Sequence, residues 1–422
     1  MSDGAPGDGR AFSVMNVEDI EPWEYYEAAR SQGNVIWDEG MGGWAVLGFK
    51  DCAWVEQNED KFRNPYQTVP DVVVQIKGGG RNIALLGGEE HKRMRRFVLQ
   101  LLTPRLIESY RQKHVVPIVS MMIQRVLSRP GKADLTTDYG DQIPSRVIAA
   151  LLGMPWQDDA LIQRILHLHE QMMEVLGALF ATEELVQKGL AISKELNEML
   201  LPYIRDRREN PQDDFISRVW QEAPSEYGDD LTEEDATAIC RELFLGGADT
   251  TVHGIANTLY LILTNAEVRT AVETNRKAAL PVAVEEALRL YGSIMYRFRV
   301  ANQDIEVGGV QIRKDEKLVL LHSAANRDPE KFACPHMADL NRRLPADHLA
   351  FNKGPRSCVG MGLARAEINE AVGAILDNLP DLKLDPTAPP PHFGGHFVRS
   401  WRPLNVTFAA DASHGTDKPA WM

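Results

Sequence analysis

A mainly α-helical fold with a minor β portion is what this 422-residue sequence predicts, and three observations carry that reading. From about residue 89 to 264 apolar residues recur at helical spacing, interrupted by glycines and prolines at 130–131, 153–155 and 210–211. Runs rich in β-branched and aromatic residues are few and short, at 34–49 and 294–320. Finally, "VGMGLARAEINEAVGAIL" puts Leu363, Ala364, Ile368, Val372 and Leu376 on one face of a last strong helix, about 359–378.

Along the chain, "NVIWDEGMGGWAVLGF" predicts a hairpin around a Gly-rich turn. Residues 62–88 predict a long loop, with glycines at 78–80 and 87–88 and an apolar stretch, "VPDVVVQI". "EEHKRMRRFVLQLL" has acids first and bases later, the order that a helix dipole favours. A polar-faced helix covers about 182–209, and Thr232 with Asp235 three residues on marks a helix start. That helix runs to about 264, well beyond the average length. "VANQDIEVGGVQI" and "KLVLL" read as short strands, 326–356 as irregular, and "LNVTF" as a closing β segment. One domain, 15–408, is expected between polar tails at 1–14 and 409–422.

The net charge of -14 argues against nucleic-acid binding. The four cysteines, Cys52, Cys240, Cys334 and Cys358, lie far apart with no CxxC pair, which fits a reducing compartment better than a disulfide framework. The amino terminus lacks the apolar core of a signal peptide, and runs such as "LYLIL" are too short to cross a bilayer. A cytoplasmic protein without membrane attachment is expected.

Cys358 sits in "FNKGPRSCVG", just before the last helix, where free N–H groups and the dipole stabilise a thiolate. Gly354 and Gly360 allow close approach of a flat ligand, and Arg356 adds positive charge. A buried structural cysteine is the plainer alternative. In "EEALRL", Glu286 and Arg289 can pair across one helical turn, as many surface pairs do. "GGADTT", residues 246–251, sets two glycines inside the long predicted helix, each costing about 1 kcal/mol relative to alanine. Either another helix crosses there or something needs the space. Asp249 and Thr250 follow at once, a carboxylate and a hydroxyl able to pass protons.

"GGADTT", "EALR" and "FNKGPRSCVG", in this order and roughly at these spacings, resemble the cytochrome P450 family over about residues 15–408. The resemblance implies the fold of that family, with heme b between the long distal helix and the helix after the cysteine loop. It makes Cys358 the axial iron ligand, whose thiolate favours O–O cleavage, with Phe351 beside the sulfur and Gly360 close to the cofactor. Glu286, Arg289 and Arg342 become a buried structural group. His91, Arg95, Arg299, His348 and Arg356 match the usual propionate partners. Gly246, Gly247 and Ala248 leave room for O2 and substrate, while Thr250 hands on protons that Asp249 admits from solvent. The loop departs from its bacterial relatives at Asn352 and Pro355, which bears on hydrogen bonding near the sulfur.

By the same resemblance the substrate pocket is expected to take in Val73, Val74, Ile76, Met173, Phe180, Phe244, Gly247, Ala248, Ile294, Met295, Phe397 and Val398. Gln75, Arg81, Tyr296 and Arg297 are candidate polar anchors. A small hydrophobic substrate, aromatic or terpenoid-like, is expected to be hydroxylated or O-dealkylated. With no reductase fused to the chain, electrons drawn ultimately from NAD(P)H are expected through a ferredoxin or flavodoxin and its reductase. Lys92, Arg93, Arg96, Arg105 and Lys353 form a candidate docking cluster, or a set of ordinary solvated bases. The alternatives are a peroxide-driven or non-oxygenating heme-thiolate enzyme, a non-catalytic heme sensor, and a heme-free thiol nucleophile with His348 as base.

Overall fold

A computed structural model describes residues 11–17, 20–68, 71–77, 79–177, 182–227 and 231–409. Phe180 and most of both polar tails lie outside the described residues.

The organising element is the helix Glu233–Thr264, 32 residues long, about 48 Å at 1.5 Å per residue. Its start is a complete capping box: Thr232 Oγ1 accepts from the Asp235 N–H, and the Asp235 carboxylate accepts from the Thr232 N–H. Ala236, Ile239, Cys240, Phe244, Ile255 and Leu259 are all buried. A helix apolar on most sides must be enclosed by others, and Gln142–Leu151, Glu183–Glu209, Arg276–Leu290 and Met361–Asn378 pack around it. Two of its glycines permit that approach. A Cβ on Gly247 would lie 2.5 Å from Ile148 Cδ1, and one on Gly254 would lie 2.7 Å from Ile368 Cδ1.

The principal sheet has five strands, in the order Val35–Asp38, Gly43–Val46, Lys317–Leu320, Arg297–Ala301 and Phe62–Arg63. The first two form the expected hairpin, with Trp37 opposite Trp44. Gly43–Val46 runs parallel to Lys317–Leu320, and the other pairs are antiparallel. Alternation along Arg297–Ala301 turns Arg297 and Arg299 to one face.

The stretch 62–88 is not the structureless loop that its glycines predict. Phe62–Arg63 pairs with Val300 and Ala301, and Asp71–Ile76 is helical. Val73 and Ile76, three residues apart, bury one face of that turn, and Ile76 meets Gly189 of the helix Glu183–Glu209. Tertiary burial here overrides the β preference of three consecutive valines. Also unanticipated is a small sheet in which Asn405–Thr407 pairs with both Lys132–Asp134 and Lys383–Leu384. Near the chain ends, the buried Arg399 donates to the carbonyls of Val17 and Ile20 at 2.9 and 2.8 Å. No helix among the described residues is long and apolar enough to cross a membrane.

Candidate active site

The cysteine loop is a tight backbone device. The Cys358 N–H donates to the Phe351 carbonyl at 2.8 Å, and the Lys353 N–H donates to Glu56 Oε2 at 2.7 Å. Asn352 has φ +57° and Gly354 has φ +68°. Asparagine is one of the few side chains tolerated in the left-handed region, so Asn352 makes this turn without a glycine. Pro355 occupies an opening position of the single turn Gly354–Arg356, where its missing N–H has no cost. Neither departure distorts the loop.

Burial pushes the Cys358 thiol up; the Gly360 N–H and the charges of Arg297, Arg95 and Arg365 oppose this without reversing it. The helix start therefore does not by itself produce the thiolate expected from sequence. A coordinating metal cation does so outright.

Gly246, Gly247, Thr250 and Thr251 of the long helix line the same cavity as Cys358 and Gly360. A Cβ on Gly246 would meet nothing within 4 Å, whereas Gly247 also carries the helix crossing. Both explanations of the glycine pair hold, one for each glycine. Thr250 Oγ1 donates to the Gly246 carbonyl at 3.0 Å. Asp249 is not among the lining residues. It lies 3.7 Å from His253 Nε2, four residues on, and His253 Nδ1 is 2.7 Å from Ser400 Oγ. Burial pushes the Asp249 carboxyl up, but the nearby His253 imidazole outweighs it and holds it low. Its Oδ2 has no hydrogen-bond partner. His253 escaped the sequence reading, although its i+4 spacing from Asp249 was a usable signal.

The cavity wall near the cysteine carries His91, Arg95, Arg299 and Arg356. Arg95 Nη2 donates to Ser357 Oγ at 2.8 Å, and Arg356 Nε donates to Glu59 Oε1 at 2.8 Å. Arg299 Nη1 donates to its neighbour's carbonyl and Nη2 stays 3.8 Å from Glu56. Burial, then Arg356, pulls the His91 imidazole down to about 4, and its Nδ1 is buried without a hydrogen-bond partner. His348 corrects the expectation. It is not a lining residue; its Nε2 meets Glu285 at 3.0 Å, and its Nδ1 accepts the Ala350 N–H. Both ring nitrogens are thus engaged, and with Arg365 they anchor Glu285, whose carboxyl burial pushes up but these hydrogen bonds hold at about 2.

One thiol shares the cavity with small residues and several donors. That donor set suits a heme: a metal for the sulfur, a flat apolar ring, and two carboxylates for His91, Arg95, Arg299 and Arg356. Phe351 lines the cavity, and the Arg365 guanidinium lies 4.6 Å over its ring.

Glu286 and Arg289 are both fully buried. Arg289 Nε and Nη2 each donate to the Glu286 carboxylate at 2.8 Å; Arg342 Nε lies 3.1 Å from both of its oxygens, and the Asp339 N–H adds 2.8 Å.

Of the expected pocket residues, Met173, Gly247, Ile294 and Phe397 line the cavity. Val73, Ile76, Phe244, Ala248 and Met295 do not, being core residues, and the half-buried Val74 is also outside the lining. Phe244 packs on His169, and Val398, which bridges to Ile294, is outside the lining. Among the anchors only Arg297 lines the cavity; Gln75 is exposed, Arg81 stacks over Tyr227, and the Tyr296 hydroxyl meets His396. Tyr66, Lys77 and Glu242 line it unanticipated.

The candidate docking bases are mostly compensated. Lys92 pairs with Glu89, Arg93 and Arg96 with the backbone and side chain of Glu226, and Lys353 with Asp347. Arg105 is exposed.

The family profile described as Cytochrome P450 matches residues 55–408. The chain is 29% identical over 385 residues to a "Biotin biosynthesis cytochrome P450" of Bacillus subtilis (strain 168), covering 89% of this chain and 93% of that protein. It is 30% identical over 356 residues to "Mycinamicin IV hydroxylase/epoxidase" of Micromonospora griseorubida, covering 82% and 84%. Among solved structures, P450BioI in complex with hexadec-9Z-enoic acid ligated acyl carrier protein superposes with a TM-score of 0.81 at 27% identity, covering 92% of this chain and 99% of that one.

Proposed function

Because the chain belongs to the cytochrome P450 family, we propose that it hydroxylates or O-dealkylates a small hydrophobic molecule, aromatic or terpenoid-like, at a heme held by Cys358. It is a monooxygenase, with heme as cofactor, O2 as co-substrate and electrons derived from NAD(P)H. Those electrons arrive, in this reading, from a separate ferredoxin or flavodoxin and its reductase. Bound heme supplies the oxygen activation and the oxidation of substrate; the chain's own residues position both and manage protons.

The observation that carries the reading is that Cys358 and Thr250 line one cavity together with several guanidinium groups. Cys358 would ligate the iron, and His91, Arg95, Arg299 and Arg356 would hold the propionates. Leu243, Ile294 and Phe397 give the pocket apolar walls that exclude water. Thr250 Oγ faces the cavity to deliver protons. Asp249, its chain neighbour, lies 3.7 Å from His253, and their side chains are 16% and 12% exposed. A partly exposed carboxylate and imidazole beside Thr250 favour the O2-dependent reading over a peroxide-driven one, which needs no proton supply of this kind.

The test is the absorption spectrum of the purified ferric protein, titrated with small aromatics, terpenoids, fatty acids and steroids. A low- to high-spin shift with one class supports the reading and names the substrate family. Cys358→Ala should lose the thiolate-type band of the reduced carbon monoxide complex. A wild-type protein that folds without heme, or a substituted protein that keeps that band, overturns it.

A further inference from the structure

The end of the cavity beneath Tyr66 holds more positive than negative charge. Lys77 is only 7% exposed, and its Nζ sits 4.7 Å over the Tyr66 ring. Arg297 turns its guanidinium into the same cavity, 5.8 Å from the Phe397 ring. Among the described residues neither cation has a hydrogen bond or ion pair from its side chain. Burial pulls the Lys77 amine down, with Arg241 and Arg297 adding to it and Glu242 opposing, and burial pulls Arg297 to about 10. Arg241, close by and buried, donates to Ser193 Oγ, Asn197 Oδ1 and the Ile76 carbonyl, all neutral acceptors. Two carboxylates offset this charge: Glu56, the main one acting on Arg297, also serves Arg299 and His322, and Glu242 has its Oε1 taken by Asn82 at 2.6 Å.

Lys77, Arg241 and Arg297 thus have only Glu242 and a share of Glu56 to offset them, an excess of positive charge away from water that folded proteins avoid unless an anion completes it. The rest of the wall there is apolar, formed by Ile83, Leu176, Ile239, Leu243 and Ile294. We propose that the substrate is amphipathic, an apolar body bearing one carboxylate, and that Lys77 and Arg297 bind that carboxylate. Charge-assisted hydrogen bonds from two cations to one carboxylate fix its depth as well as its affinity. The apolar body is then held in one register along the wall, so a fixed distance separates the carboxylate from the position attacked. The inference rests on the monooxygenase reading and narrows its substrate class.

The test uses ferric holoenzyme and matched pairs: para-butylbenzoate, octanoate and dodecanoate, each against its primary amide, titrated by the spin-state change. At least one acid should bind about tenfold more tightly than its amide, the lower end of what a charge-assisted bond contributes. Lys77→Met and Arg297→Gln should each weaken that acid by about tenfold while leaving the amide within about twofold. Equal affinities within every pair, no binding of any acid, or a preference that survives Lys77→Met all overturn the proposal. If Arg297→Gln lowers the heme-to-protein ratio and Lys77→Met leaves the acid preference intact, the guanidinium serves a heme propionate and the proposal falls. Failure of the underlying reading is separate and visible at once, as a wild type whose reduced carbon monoxide complex lacks the thiolate-type band.

Discussion

Replacing Glu286 by glutamine keeps the shape of the side chain and removes one charge from a site with no access to water. Two guanidinium groups, Arg289 and Arg342, then lose their shared counter-ion. Removing one partner of a buried pair destabilises by about 3–5 kcal/mol. The lower end applies here, because Arg289 keeps the carbonyls of Asn326, Pro335 and Met337 as acceptors, and glutamine still offers one oxygen. Unfolding entropy near 2.1 cal/mol/K per residue over 422 residues turns about 3 kcal/mol into a melting point lower by about 3 °C. Scanning the holoprotein at several heating rates, with the heme-to-protein ratio recorded alongside, measures this. Arg342→Met, at the 10% exposed edge of the group, should fall by less. An E286Q protein that melts with the wild type and retains all its heme refutes the reasoning, since no uncompensated charge would then be present.

Gly354→Ala meets two obstacles, a left-handed backbone at φ +68° and a Cβ placed 2.6 Å from the Glu56 carbonyl; it should destabilise by more than about 1 kcal/mol in a urea titration. Asp249→Asn, and His253→Ala acting through it, should lower product formed per NADH consumed by at least about tenfold with any compound that shifts the spin state; unchanged coupling in both would remove them from the relay. The Glu285 carboxyl is held at about 2, below its ordinary 4.5. Its contribution is therefore present above pH 4.5 and is lost as pH falls toward 2. Wild-type stability should decline more steeply through that window than that of Glu285→Gln, and parallel slopes would show that Arg365 and His348 do not hold the carboxyl down.

Much of this was legible in the sequence where local chemistry dictates structure. The Thr232–Asp235 capping box and the extent of the long helix follow from residues in contact along the chain. The hairpin with Trp37 opposite Trp44 does too. Opaque were features made by distant partners. Nothing near His348 announces that Glu285 will claim it, whereas the i+4 spacing of Asp249 and His253 was a local signal that went unused. The valines of 72–74 carry an extended preference, and only the helix Glu183–Glu209, more than a hundred residues later, makes them helical. Lys77 illustrates the same limit. A lysine beside glycines reads as solvated until Tyr66 closes over it.

The two neighbouring glycines of the long helix differ in how freely the site could diversify. Position 246 opens onto empty space, so larger residues there would reshape the pocket while the helix stays where it is. Position 247 is already occupied in effect by Ile148, as position 254 is by Ile368. A side chain added at 247 would press on the helix Gln142–Leu151, and one added at 254 would press on Met361–Asn378, the helix that follows the cysteine. A library meant to change what the pocket accepts belongs at 243 and 246, and variation at 247 or 254 would be read out as lost protein before it was read out as altered selectivity.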